Sequence, residues 1–357
     1  MSALLKDIYN KALVQRLAAN LSQHLPLFQQ KEFTRAVLDE QWEKLELKER
    51  MRHITRCLHR FMPLPYPQQL DLLYKVAPGY TGLAGIIFPD FVEVFGLEHY
   101  GESVAALAAF TSYSSSEFAV RPFILRYPAP MLEQMLQWAT HENHHVRRLA
   151  SEGCRPRLPW AMGLPALKKD PSPVLPILEV LKADPSDYVR RSVANNLNDI
   201  SKDHPDVVLQ IAASWLGTDE NTNWIIRHAC RGLIRKGHPQ ALALFGLQPV
   251  QEVKIIDLAV ETPAVSIGSR LSFRFSLHVS QPQKIRIEYV IHYARPGGKH
   301  GTKVFKLVEK FFEPGQAVFS KSHSFQQMTT RRHYPGEHRV AIYLNGVAFA
   351  EAAFEVV

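Results

Sequence analysis

Three carboxylates and a set of arginines at helical spacing are the residues of this chain best suited to chemistry. Arg148 and Glu152 are spaced i, i+4, and Arg191, Asn195 and Asp199 are spaced i, i+4, i+8, so each set lines one face of a helix. Arg227, Arg231 and Arg235 repeat the spacing without an acid, which makes a basic face. Glu117 follows Ser114, Ser115 and Ser116, and its local reading is a helix cap with an acid in the first turn. It also precedes Val120-Arg121, a degenerate copy of the phrase around the other acids, which brings it to the same seam. Trp160 stands between Pro156 and Pro159 on one side and Gly163 on the other, a proline-stiffened stretch just beyond Glu152. A tryptophan there suits core packing or stacking on a sugar or base. The run His141-Glu-Asn-His144-His145 has no second ligand group at metal spacing, so no metal site is expected.

The elements that carry these residues repeat. Val146-Arg-Arg-Leu-Ala recurs as Val189-Arg-Arg-Ser-Val-Ala and Ile226-Arg-His-Ala-Cys, at offsets of 43 and 37 residues. Those periods match two-helix HEAT-type units, each of which buries its apolar face only against a neighbour. In the second copy Val189, Val193, Leu197 and Ile200 form the apolar stripe, with Asp184 or Ser186 as cap. Gly153 and Pro156 end the first copy. Residues 1–62 read as two or three amphipathic helices that cap the array, and further helices follow to Phe245-Gly246.

From Val253 the period changes. Leu271–Leu277, Lys284–Ile291 and Arg339–Leu344 alternate apolar and polar residues, and with turn signals such as Pro314-Gly315 and Asn345-Gly346 about seven strands fit a β-sandwich. The division expected is a helical repeat domain over residues 1–247 and an all-β domain over 248–357. A chain of 357 residues is too long for one ordinary core, which agrees with this division. The formal charge is +8, most of it beyond residue 250, and this favours a polyanionic partner. The basic loop Arg295-Pro-Gly-Gly-Lys299-His300-Gly-Thr-Lys303 suits a phosphate or a groove. Cys57, Cys154 and Cys230 lack disulfide or zinc spacing, in keeping with a reducing cytoplasm. No apolar run is long enough to span a membrane, so no membrane partner is expected.

With Ser-Ser-Ser-Glu117-Phe, Val146-Arg-Arg-Leu-Ala-Ser-Glu152-Gly-x-Arg-Pro-Arg-Leu-Pro-Trp160 and Val189-Arg-Arg-Ser-Val-Ala-Asn-Asn-Leu-Asn-Asp199, the whole chain resembles the AlkC branch of the HEAT-like-repeat DNA alkylation-repair glycosylases. The resemblance implies an all-α HEAT-like solenoid followed by an immunoglobulin-like sandwich. It also implies a monofunctional glycosylase of base excision repair that removes cationic N3-alkylated bases, 3-methyladenine and 3-methylcytosine, from duplex DNA without flipping them. Glu117, Glu152 and Asp199 are then the acids that stabilise the oxocarbenium-like sugar and place water, with Asp199 first in line for the water and Trp160 against the sugar. Arg148 holds a phosphate or orients Glu152, and Arg191, Arg227, Arg231, Lys299, His300 and Lys303 anchor the DNA backbone. No cofactor is expected, and without a Schiff-base lysine neither is strand cleavage. The expected protein is a monomer in the bacterial cytoplasm, on the nucleoid when bound to DNA. The rival is a non-enzymatic HEAT scaffold for DNA or an acidic protein. Three acids on a basic face repel phosphate, and that conflict favours the enzyme.

Overall fold

A computed structural model describes residues 4–298, 300–328 and 332–357. Sixteen α-helices among the described residues precede eight strands. The first six are α1 (Lys11–His24), α2 (Gln30–Val37), α3 (Leu47–Phe61), α4 (Tyr66–Val76), α5 (Ile87–Phe95) and α6 (Tyr100–Phe110). Then come α7 (Val120–Arg126), α8 (Pro128–Trp138), α9 (His144–Gly153), α10 (Pro165–Lys169), α11 (Leu175–Leu181) and α12 (Asp187–Ile200). The series ends with α13 (Pro205–Trp215), α14 (Glu220–Ala229), α15 (Arg231–Arg235) and α16 (Pro239–Leu244). Two compact units result: one contains the residues up to His204 with Trp215–Ala229, the other Pro205–Ser214 with Cys230–Val357.

In the first unit the repeated phrases lie on α9, α12 and α14, and α12 packs against both of the others. Their shared apolar positions, Val146, Val189 and Ile226, are fully buried, each contributing about 1.5–3 kcal/mol relative to exposure. Polar contacts then fix the register. Ser192 on α12 donates to the Ser151 hydroxyl at 3.0 Å, and the Asn196 amide donates to the Ser151 carbonyl at 2.8 Å, all without exposure to solvent. Buried hydrogen bonds of this kind are costly to leave unmade, so α12 has little freedom to slide on α9. Glu152 adjoins Ser151, and Asp199 lies one turn beyond Asn196, so this register places two of the acids.

Three local expectations change. Glu117 does not cap a helix, because α7 starts only at Val120 with Ala119 as its N-cap. Ser186 is the N-cap residue of α12 but makes no side-chain cap; Asp184 instead accepts from the Ser186 amide at 2.8 Å and pairs with Arg147 at 2.6 Å. Arg231 is not one turn further along the helix of Arg227. The helix stops at Ala229, whose carbonyl accepts from the Asn198 amide at 2.8 Å, and Arg231 opens α15 in the other unit.

The sandwich pairs β1 (Val253–Val260), β3 (Arg270–Val279) and β6 (Gly315–Ser324) in one sheet, in the order β1-β3-β6. The other sheet has the order β2-β8-β7-β4-β5, with β2 (Ala264–Val265), β4 (Gln283–Ala294), β5 (His300–Phe312), β7 (Gly336–Leu344) and β8 (Val347–Val356). The alternating residues Leu271, Phe273, Phe275 and Leu277 of β3 meet Ile285, Ile287, Val340 and Ile342 in one core. Asn345 and Gly346 both take positive φ, 45° and 82°, which gives the tight turn between β7 and β8 its hairpin twist. The basic loop is shorter than its sequence suggests. Strand β5 already begins at His300, opposite Ala294, and Lys303 lies opposite Ile291, so both belong to a strand. Lys299 lies outside the described residues.

Candidate active site

Glu117, Arg148, Glu152 and Trp160 line one cleft of about 630 Å³ in the first unit, together with Phe118, Arg155 and Tyr188. Asn143 caps α9 by accepting from the His145 amide at 2.9 Å, and the helix then presents Arg148 and Glu152 one turn apart. Arg148 reaches Glu117 Oε2 at 2.7 Å and Glu152 Oε1 at 3.7 Å, and donates to Ser115 Oγ at 3.2 Å. Ser115 in turn donates to Glu117 at 2.8 Å. The guanidinium carbon of Arg148 also sits 4.4 Å from the centre of the Tyr188 ring. Burial opposes the charge on Arg148, but Glu117 and Glu152 outweigh it and hold its pKa above the ordinary arginine value.

Arg155 continues the array. Its Nη1 donates to Glu152 Oε1 at 2.5 Å, while Nε and Nη2 approach Asp199 Oδ2 at 2.9 and 2.8 Å. Lys202 completes the set at 2.8 Å from Asp199 Oδ1. Glu117, Arg148, Glu152, Arg155, Asp199 and Lys202 therefore form a chain of alternating charge. Only its first four members line the cleft. Asp199 is buried, does not line the cleft, and has its two oxygens engaged by Arg155 and Lys202.

Trp160 is not a core residue. It is 63% exposed and adopts φ 64°, a left-handed conformation that costs a large side chain about 1–2 kcal/mol. Its carbonyl accepts from Lys48 at 2.9 Å. Tyr188, exposed to 42%, provides a second aromatic wall, and burial of its phenol raises its pKa.

The other basic residues expected at the site do not line this cleft. Arg191 is exposed and paired with Asp187, Arg227 is half-buried on α14, Arg231 lies on α15, and His300 and Lys303 are exposed on β5. Arg155, Tyr188 and Lys202 are functional candidates that the sequence reasoning missed. The i, i+3 spacing of Glu152 with Arg155 and of Asp199 with Lys202 is the signal that marks two of them. A second cleft of about 610 Å³, in the other unit, is lined by Asp206, Leu209, Gln210 and Gln240 among others, with no arginine or lysine. It lacks the means to bind an anion or to offset its own acid.

Carboxylates paired with guanidinium groups, beside an exposed tryptophan on a helical repeat, make a site suited to stabilising a cation. Comparison with known proteins agrees. Residues 111–233, which contain every member of the charged array, match the family described as DNA alkylation repair enzyme, and residues 254–357 match the C-terminal Ig-like domain of the uncharacterised protein YhaZ. The chain is 47% identical over 353 residues, 99% of both proteins, to the uncharacterized protein YhaZ of Bacillus subtilis (strain 168). It superimposes with a TM-score of 0.96 and 40% identity on the alkylpurine DNA glycosylase AlkC of Pseudomonas fluorescens, solved bound to DNA containing an abasic site analog, covering 99% of this chain and 100% of that one. The chain belongs to the DNA alkylation repair enzyme family, as a DNA glycosylase of the AlkC type with a C-terminal immunoglobulin-like domain.

Proposed function

We propose that this enzyme hydrolyses the N-glycosidic bond of cationic N3-alkylated bases, 3-methyladenine and 3-methylcytosine, in duplex DNA and leaves an abasic site. The observation that carries the reading is the pairing of two cleft-lining carboxylates, Glu117 and Glu152, with guanidinium groups beside an exposed aromatic ring. An N3-methylated base is already positive. It departs with the electron pair of the glycosidic bond and becomes neutral, so no general acid is needed. The positive charge passes to the sugar, where fixed carboxylates stabilise it more in the transition state than in the ground state. Water then adds to the anomeric carbon, and its proton goes to a carboxylate and on to solvent.

The residues divide this work by their position. Glu117 and Glu152 face the sugar and place the water, Trp160 packs against the sugar, and Arg148 orients both acids rather than holding a phosphate. Asp199 acts one guanidinium removed, by holding Arg155 against Glu152. The exposed rings of Trp160 and Tyr188 in the cleft suit a base attacked while still in the stack. Arg191, Arg227, Arg231, His300 and Lys303, together with Lys299, supply the contacts to the DNA backbone.

The test is base release from duplex DNA treated with a methylating agent, resolved by chromatography, for the native chain and for Glu117→Gln and Glu152→Gln. Release of 3-methyladenine by the native chain should fall at least about 100-fold in each variant, with affinity for an abasic-analogue duplex kept or increased. Absence of release from the native chain, with DNA binding intact, would make the protein a scaffold instead.

A further inference from the structure

Arg121, on α7, is fully buried, yet no carboxylate hydrogen-bonds it among the described residues. Its three hydrogen bonds all go to backbone carbonyls: Nε to Met162 at 2.7 Å, and Nη1 to Gly153 at 2.9 Å and to Arg155 at 2.8 Å. Its Nη2 finds no partner among the described residues. Burial pushes its pKa down to about 10, so the side chain keeps its charge at neutral pH in spite of its surroundings. A methionine or leucine of similar volume would fill this space without that cost. What the guanidinium adds is geometry, because its rigid fork reads carbonyls at both ends of one segment, residues 153–162.

That segment carries two parts of the site. Arg155 bridges Glu152 and Asp199, and Trp160 is held exposed in a left-handed backbone conformation. A second cation holds the same segment. Lys48, near the start of α3, donates to the Trp160 carbonyl at 2.9 Å and sits 4.8 Å from the centre of the Phe118 ring, next to Glu117. The strained residue is thus fixed at its own carbonyl, and the ends of its loop are fixed by a buried fork.

We propose that Arg121 and Lys48 are positioning residues for base release, a clamp that holds the segment carrying Arg155 and Trp160 in its reactive geometry. The proposal rests on the glycosylase reading above. It goes beyond that reading in assigning a function to two residues that do not touch substrate.

The full chain is compared with Arg121→Lys, Lys48→Met and Trp160→Phe for single-turnover base release and for affinity to an abasic-analogue duplex. Tryptophan emission and its quenching by iodide are recorded as well, with Trp160→Phe used to isolate the Trp160 contribution. Arg121→Lys keeps the charge but loses the fork, and should slow release about 100-fold at unchanged affinity, the effect of a displacement near 1 Å. Lys48→Met should cost about 10-fold, equivalent to one charge-assisted hydrogen bond. Combining Arg121→Lys with Trp160→Phe should cost less than the product of the two losses, because both act through the same ring. A merely structural arginine would leave the Trp160 emission unchanged and its effect multiplicative. A folded variant of either cation with the native rate and native Trp160 quenching overturns the clamp. Where Arg121→Lys fails to fold, Lys48→Met decides alone. If the native chain releases no base, the glycosylase reading falls, and the clamp is judged on Trp160 emission: altered in the variants supports it, unaltered overturns it.

Discussion

Replacing Arg155 with methionine tests the charged array most directly, because it removes the residue that bridges two of its buried acids, Glu152 and Asp199. The side chains of Glu152 and Asp199 are only 6% and 3% exposed, so neither regains water when the guanidinium leaves. Breaking a buried ion pair from one side costs about 3–5 kcal/mol. Here each acid keeps one cation: Glu152 keeps Arg148 at 3.7 Å, and Asp199 keeps Lys202 at 2.8 Å. The cost therefore falls at the low end, about 3 kcal/mol. For a unit of this size that corresponds to a fall of roughly 6–12 °C in the unfolding temperature followed by circular dichroism. The sign of a second change separates electrostatics from lost packing. Asp199→Asn in the Arg155→Met background removes a charge left half-paired and should recover about 1 kcal/mol, whereas the same change in the native chain should destabilise. A fall of less than about 4 °C for Arg155→Met, or a double variant no more stable than the single one, would refute the reasoning.

Two further outcomes follow from the sandwich. His338 is buried, with Nδ1 at 2.9 Å from the Gly336 carbonyl and no partner for Nε2 among the described residues, and burial lowers its pKa despite nearby Glu355. Its folded pKa lies below the unfolded value of about 6.5, so the unfolded chain takes the proton first and stability is lost as pH falls below that value. Unfolding temperatures of the sandwich recorded from pH 7 to pH 5 should decline, and the decline should flatten in His338→Gln; parallel profiles would rule the histidine out. Lys303→Ala should weaken DNA binding and make the plot of log affinity against log salt shallower by about 1, and an unchanged slope would remove Lys303 from the interface.

What the sequence revealed and what it hid divide along a physical line. Val146, Val189 and Ile226 were legible as core because apolar periodicity is a local property, and the strands from Val253 were legible for the same reason. The acids Glu117 and Glu152 could be read as neighbours of one seam through the repeat. Contacts made across long separations were not legible. Arg121 finds its carbonyls 32 to 41 residues away, and Lys48 finds Trp160 at a separation of 112. The break between Arg227 and Arg231 was hidden too, because Asn198, far earlier in the chain, draws off the Ala229 carbonyl. Asp199 lies on its expected helix, but spacing alone does not show that Arg155 pairs with it.

The alternating array also resolves the conflict that the sequence posed. Bare carboxylates on a basic face would repel the phosphates of a bound duplex, yet in the proposed reaction the sugar needs negative charge as the base departs. Pairing each acid with a guanidinium leaves the array close to neutral at the range of a phosphate, where screening acts within about 10 Å. At the range of hydrogen bonds the carboxylate oxygens still present negative charge, fixed in place by Arg148 and Arg155 before any substrate arrives. A site built this way discriminates by the charge its ligand develops. A neutral base, which leaves as an anion, gains little from it, whereas a base that is already cationic needs only the stabilised sugar. The same arginines that let DNA approach thereby confine the chemistry to alkylated, positively charged bases under the proposed reading.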